Sequence, residues 1–347
     1  MKEIYKDAYH KANDLALYLE HAPLIMYNLD NLLELAYEYF RAVEPYYKEP
    51  FALENHEFNT VPFDVSLEYV REYLESISSE VLTEFDESFK NGLFTFLDMQ
   101  DGTEKEESTF HCSFQKYEKK YDEAEFHSSI EIQLKGTIGD AATIIHEFFH
   151  YLNQPVNNRY TDTREMFTEG ISIFFENDFL SYMINKNKDY LSDVGYLKLK
   201  RYDNTLTAAT KLIDYLVVLN SYLEFGNINE STFSLLKEYH KLHPSTEKDF
   251  ETLVKKFNKI NHPNDITSTV SYVIGTVLAT NPGRCKNIRE RFLDINNSIR
   301  YNRDNINIFD YLEADLEAVD MVQPVVADIK INNLYMQTKN DENKHIK

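Results

Sequence analysis

The sequence predicts a mainly α-helical protein with a small β-sheet inserted ahead of its most informative helix. Three observations predict it. Apolar residues recur at helical spacing over most of the chain. Nine Gly and nine Pro, set against 25 Tyr and 23 Phe among 347 residues, leave few breakers and imply long helices around an aromatic-rich interior. Between 93 and 136 the texture changes to short apolar runs separated by turn residues.

Taken in order, segments 4–20 and 28–45 read as amphipathic helices. Asp64 is placed to cap VSLEYVREYLESI, and Ser79 to cap EVLTEFDESFKN, with Gly92 as its stop. LFTFLDM, a DG turn at 101–102, STFHCSF and SSIEIQL (128–134) read as a turn between short strands. In the last of these, Ile130, Ile132 and Leu134 alternate with Ser129, Glu131 and Gln133, the pattern of a half-buried strand. GTIGD follows, with Asp140 placed to cap a helix that contains HEFFH and ends at Pro155. A second strong helix begins near Thr163 and runs through EGISIFFENDFLSYM. Helical patterns continue at 190–225, 229–242, 246–260, 266–281, 284–299 and 306–319, and the polar stretch 334–347 reads as a frayed tail. No Gly/Ser-rich or Pro-rich linker and no internal repeat divides the chain. The expected organisation is one mainly α domain with the small sheet inserted at 93–136 and a polar tail at 334–347.

Composition excludes several classes of function. Lys and Arg number 36 against 58 Asp and Glu, a net charge of -22, which lacks the basic footprint that binding nucleic acid or an anionic membrane requires. The same surface suits neutral or cationic ligands and would steer cationic peptides. Cys112 and Cys285 form neither a disulfide framework nor a CxxC metal site, so a reducing, cytoplasmic setting is expected. The N-terminus has no apolar signal core, and apolar windows such as YVIGTVLA (272–279) fall far short of the ~18 residues that read as a membrane span.

His146-Glu147-Phe148-Phe149-His150 carries the chemistry. Residues four apart share a helix face, so both imidazoles can reach one cation, with Glu147 close enough to contact a water on it. Two imidazoles and an oxygen ligand suit a single Zn²⁺ ion with one coordination position left open. Such an ion lowers the pKa of its water from 15.7 towards ~7, and Glu147 can take the proton as the water attacks a carbonyl. The competing reading is a pair of helix histidines satisfied by local hydrogen bonds. A third ligand must come from another element. Glu169 follows His150 after 18 intervening residues, room for a helix end, a loop and a second helix packed against the first. Glu165 is its nearby competitor. Glu176 lies seven residues beyond Glu169, two helical turns, and can orient a ligand imidazole from behind. A free edge on SSIEIQL would let an extended peptide add as a strand.

These residues resemble a known family. GTIGDAATIIHEFFHYLN is similar to the active-site segment of the oligoendopeptidase F and thimet oligopeptidase family of zinc metallopeptidases, and FTEGISIFFENDFLSY is similar to that family's second active-site helix. The resemblance implies a zincin-like catalytic domain over 61–333 and peptide substrates. It also implies zinc ligands His146, His150 and Glu169, with Ser172 and Glu176 at the family's downstream Ser and Glu positions. His262, followed by Tyr272 in SYVIGTVLA, is similar to the element whose His and Tyr hydrogen-bond the developing oxyanion. Ser268 and Val270 stand where the family usually has further Tyr, and Phe149 stands in place of a Gly, which is expected to crowd the cleft beside the metal. Family members are much longer, so 1–60 reads as a remnant of their N-terminal half and the cleft is expected to be more open. The sequence thus points to a zinc endopeptidase acting on oligopeptides. A dedicated protease with one protein target, of effector or toxin type, and an inactive peptide-binding relative are the alternatives.

Overall fold

The computed structural model describes residues 3–20, 23–26, 28–48, 56–97, 116–120, 123–127, 130–153, 162–239, 264–280, 290, 293–294, 297 and 318–345. They form helices α1 (Glu3–Leu19), α2 (Pro23–Met26), α3 (Leu29–Lys48), α4 (Phe63–Ile77) and α5 (Ser79–Lys90), then strand β1 (Phe94–Leu97). Strands β2 (Lys116–Lys120), β3 (Glu123–His127) and β4 (Ile130–Gln133) precede α6 (Ile138–Leu152) and α7 (Asp162–Lys186). A 3-10 turn (Lys188–Tyr190), α8 (Leu191–Phe225), α9 (Glu230–Tyr239), α10 (Asn264–Ala279) and α11 (Ala318–His345) complete the described chain. The fold is therefore mainly α. Among the described residues no helix is long and apolar enough to cross a membrane.

Helix boundaries follow local hydrogen bonding. Ser78, rather than Ser79, caps α5: its backbone is extended, and its hydroxyl accepts from the Glu80 N–H while its own N–H closes α4 on the Leu74 carbonyl. Asp64 lies inside the first turn of α4, which starts after Pro62 without a side-chain cap. At α6 the cap is Thr137, and Asp140 is the third helical residue of a capping box. The Asp140 carboxylate reaches back to accept from the N–H groups of Lys135 (2.9 Å), Gly136 (2.8 Å) and Thr137 (3.4 Å). Gly136 has φ +69°, a left-handed turn that favours glycine, and its carbonyl accepts from the Val61 N–H at 2.8 Å. This knot fixes where α6 leaves the sheet.

β1 and β4 pair in parallel, with Phe94 opposite Ile130 and Phe96 opposite Ile132. Ile130 and Ile132 are buried. Among the described residues β4 is paired along one edge. β2 and β3 form a separate antiparallel pair that the sequence reading did not anticipate, since KYEKK and EAEFH show no apolar alternation. The strand expected at 108–114, the helix expected at 246–260, and most of those expected at 284–299 and 306–319 lie outside the described residues. The stretch read as a frayed tail is helical to His345, because α11 begins at Ala318 and buries Val322, Val325 and Ile329.

The interior is aromatic, as expected: Tyr39, Phe40, Tyr73, Phe85, Phe148, Phe149, Phe174, Phe175, Phe179 and Tyr202 are all fully buried. α7 is packed between α6 and α10, while α8 packs against α3, α10 and α11. The α7–α10 contact is close enough to require glycine at 275 and is tight at 170, where a Cβ would meet the Ser271 carbonyl oxygen at 3.0 Å. A Cβ on Gly275 would sit 2.6 Å from the Cα and carbonyl oxygen of Gly170. The Gly170 N–H donates to Ser271 Oγ at 2.6 Å, fastening the two helices at that point.

Gly275→Ala tests this crossing. A helix interior ordinarily gains up to about 1 kcal/mol from such a change. Here the methyl meets backbone that cannot move aside, and overpacking of this kind costs ~1–3 kcal/mol. Denaturant unfolding is expected to show net destabilisation, and a more stable variant would contradict the close crossing.

Candidate metal centre

Two helices build the centre. α6 presents His146, Glu147 and His150, and α7 presents Glu169 and Glu176. The register between them is set by Phe149 and Phe175, which stack with ring centroids 3.7 Å apart and planes 7° from parallel. Phe149 is completely buried in that contact. It does not crowd the cleft, contrary to the expectation from sequence: three residues past His146 on the helix, its side chain turns to the α7 side and serves as the packing surface.

Across this interface three ligand-type atoms converge. His146 Nε2 and His150 Nε2 are 3.0 Å apart. Glu169 Oε2 lies 3.7 Å from the first and 3.6 Å from the second. All three fall within 4.8 Å of one another, a group that can hold a metal ion. Zinc bonds of about 2.0–2.2 Å arranged tetrahedrally separate their donors by ~3.4 Å, so these spacings bracket the value a tetrahedral site needs. The donor set of two nitrogens and one oxygen suits the same ion.

Behind His146, Nδ1 lies 2.9 Å from Glu176 Oε2. Nδ1–H donates to that carboxylate, which leaves the Nε2 lone pair directed at Glu169 and His150. The same Glu176 oxygen accepts from the guanidinium of Arg201 on α8. Arg201 was missed by sequence reading. In LKLKRYDN it looks like one more charge on a solvated helix face, and the one available signal is that buried carboxylates need a cation nearby. Glu147 is buried, and its Oε2 has no hydrogen-bond partner among the described residues. A buried carboxylate oxygen without a partner marks room for a donor such as water.

Charge interactions reflect this geometry. Burial opposes the charged form of Glu169, but His150, His146 and Arg201 outweigh it and hold the carboxyl at about 2. Burial is likewise overcome at Glu176 by Arg201 and His146, again to about 2. For His146 burial works against the cation, yet the hydrogen bond and charge of Glu176, with Glu169 and Glu147, raise it above its ordinary 6.5. Tyr272 on α10 is pushed up to about 12, chiefly by burial and then by Glu169, with Arg201 opposing. The same interactions put Tyr272 within electrostatic reach of Glu169, Arg201, Glu176 and Glu147. Ser268 is exposed and Val270 is buried on the same helix. His262 lies outside the described residues.

No family model matches the sequence, and no curated protein matches it significantly. The fold is similar to that of a solved structure described as a "putative peptidase" from Chlamydophila abortus, with a TM-score of 0.59 and 10% identity, covering 96% of this chain. The chain spans 62% of the length of that neighbour. At this identity the likeness is one of fold alone.

The pKa shifts set a pH window for the metal-free chain. Glu169 and Glu176, depressed from 4.5 to about 2, contribute stability above pH 4.5 that is lost as pH falls through that interval. His146, raised above 6.5, contributes stability below pH 6.5 that is lost as pH rises through its folded value. Thermal melts in chelator are therefore expected to show this cluster most stabilising between pH 4.5 and 6.5. Added zinc competes with protons for the imidazoles, so the extra stability it confers should grow from about pH 5 to pH 8. A pH-independent zinc effect would contradict imidazole ligation.

Proposed function

We propose that this chain is a zinc-dependent peptidase that hydrolyses peptide bonds in oligopeptides, in the manner of the oligoendopeptidase F and thimet oligopeptidase family that its motifs resemble. The observation that carries the reading is the convergence of His146 Nε2, His150 Nε2 and Glu169 Oε2 within 4.8 Å, with the buried Glu147 one residue along from His146 on the same helix. The likeness of fold to a structure described as a "putative peptidase" supports it.

A single zinc ion at His146, His150 and Glu169 would supply Lewis acidity towards the scissile carbonyl and an acidified water as the nucleophile. With the ion bound, Glu147 would serve as the general base that takes a proton from the attacking water and the general acid that returns it to the leaving amine. Its lack of a hydrogen-bond partner among the described residues leaves Oε2 free to accept that proton. Tyr272, kept neutral by its raised pKa at physiological pH, donates its hydroxyl hydrogen to the oxygen that gains negative charge. His262 assists at the same oxygen, a role that rests on the resemblance alone. Glu176 holds the His146 ring in the tautomer that presents Nε2. The acidic surface steers cationic peptides in preference to anionic ones, and two widely spaced cysteines favour a cytoplasmic setting.

Glu147→Gln is expected to keep stoichiometric zinc and lose ~10²–10⁴-fold in turnover of quenched peptide substrates. Tyr272→Phe should lower kcat by about 10²–10³-fold at unchanged zinc content. Undiminished cleavage by the Glu147 variant would remove the mechanism. A zinc-loaded wild type that cleaves no short peptide would remove the oligopeptide assignment and leave a dedicated protein substrate.

A further inference from the structure

One carboxylate oxygen serves two donors at the back of this site. Glu176 Oε2 accepts from His146 Nδ1 at 2.9 Å and from Arg201 Nη2. We propose that Arg201 is a positioning residue for the metal: by clamping Glu176 against His146 it sets how tightly His146 Nε2 holds the ion. The inference rests on the zinc reading above and adds to it a residue some fifty positions beyond the histidines, on a helix with no ligand of its own.

Two observations carry it. The first is charge. Glu147, Glu169 and Glu176 all bear on His146, and Arg201 places a permanent cation against Glu176, its charge also interacting with Tyr272 and Glu169. A carboxylate that is both ion-paired and hydrogen-bonded has less freedom to swing away from the imidazole than one held by the imidazole alone.

The second is the footing of Arg201. Its turn of α8 is bonded to three other helices. Thr205 Oγ1 donates to the Arg201 carbonyl (3.0 Å) and bonds Thr276 Oγ1 of α10 (2.7 Å). From α3, Tyr47 donates to the Leu199 carbonyl at 2.6 Å and Tyr39 to the Tyr202 carbonyl at 3.1 Å. On the α11 side, Lys198 and Tyr202 both bond Asp328 Oδ2. A guanidinium rising from so constrained a turn transmits position rather than following its partner.

The test measures zinc affinity of the full chain by competition with a chromophoric chelator, together with the visible spectrum of the cobalt-substituted protein. Arg201→Met is expected to weaken zinc binding by about 10–100-fold and to change the cobalt spectrum, as loss of a partner behind a ligand does elsewhere. Arg201→Lys, which keeps the charge and loses the fork, should recover part of the affinity. In a Glu176→Gln background the Arg201→Met change should add less than about threefold, because the route through Glu176 is already cut. Wild-type affinity and spectrum in Arg201→Met would overturn the inference, and so would an equal loss with and without Glu176. Should Arg201→Met fail to fold, Arg201→Lys decides alone: weaker zinc binding supports the inference, and unchanged binding overturns it. A wild-type chain that binds no zinc would instead overturn the zinc reading itself.

Discussion

The face-to-face stack of Phe149 on Phe175 is the contact on which the site depends. Two rings 3.7 Å apart and nearly parallel hold α6 and α7 at one distance and one register. At that register Glu169 reaches the paired imidazole nitrogens and Glu176 reaches the back of His146. A slip of one residue along α7 would rotate both carboxylates away by about 100°. The pair is also fully buried, so its contribution to stability and its contribution to geometry come from the same apolar surface. Aromatic content, which at first sight marks only a dense core, is here the means of placing polar atoms.

Around that contact the chain solves a charge problem in layers. Three acidic side chains meet at the centre, and each is answered differently. Glu169 faces the imidazole nitrogens, Glu176 is shared between an imidazole and a guanidinium, and Glu147 keeps an oxygen without a partner among the described residues. The first arrangement suits ligation, the second suits support, and the third suits proton transfer. Similar residues thus acquire distinct chemistry from their surroundings alone. The outer layer, the turn of α8 carrying Arg201, belongs to a part of the chain with no motif in it.

The sequence made some of this legible and hid the rest for identifiable reasons. His146 and His150 were readable because a four-residue spacing fixes their common face without any knowledge of neighbours. Glu169 and Glu176 were readable because seven residues is close to two full turns, so whichever face met α6 would carry both. Phe149 was misjudged because its angle on the helix was known but the neighbour occupying that angle was not. Arg201 was invisible because its role is set by a contact across 25 residues of sequence separation with Glu176, in a stretch where Lys and Arg are otherwise ordinary surface charges. Most helix ends were placed to within about three residues, α11 being the exception, and the errors at Ser78 and Thr137 arose where two residues near the helix start could each supply a capping oxygen. The strands β2 and β3 left no apolar alternation to find. The mainly α class itself was plain from periodicity and from the scarcity of breakers.

The glycine crossing of α7 and α10 has a consequence for how such a site can diversify. Gly170 follows Glu169 directly, and Gly275 stands three residues past Tyr272, with Ser271 bonded to Gly170 between them. At Gly275 the helices lie at a separation that admits hydrogen but no methyl. A larger side chain at 275 would have to push the two helices apart, and no substitution at 170 could make room for it, because what it meets is the Gly170 backbone. A change in what this face of α10 presents would have to arise from its side chains, at exposed positions such as Ser268, while the scaffold that carries them stays put.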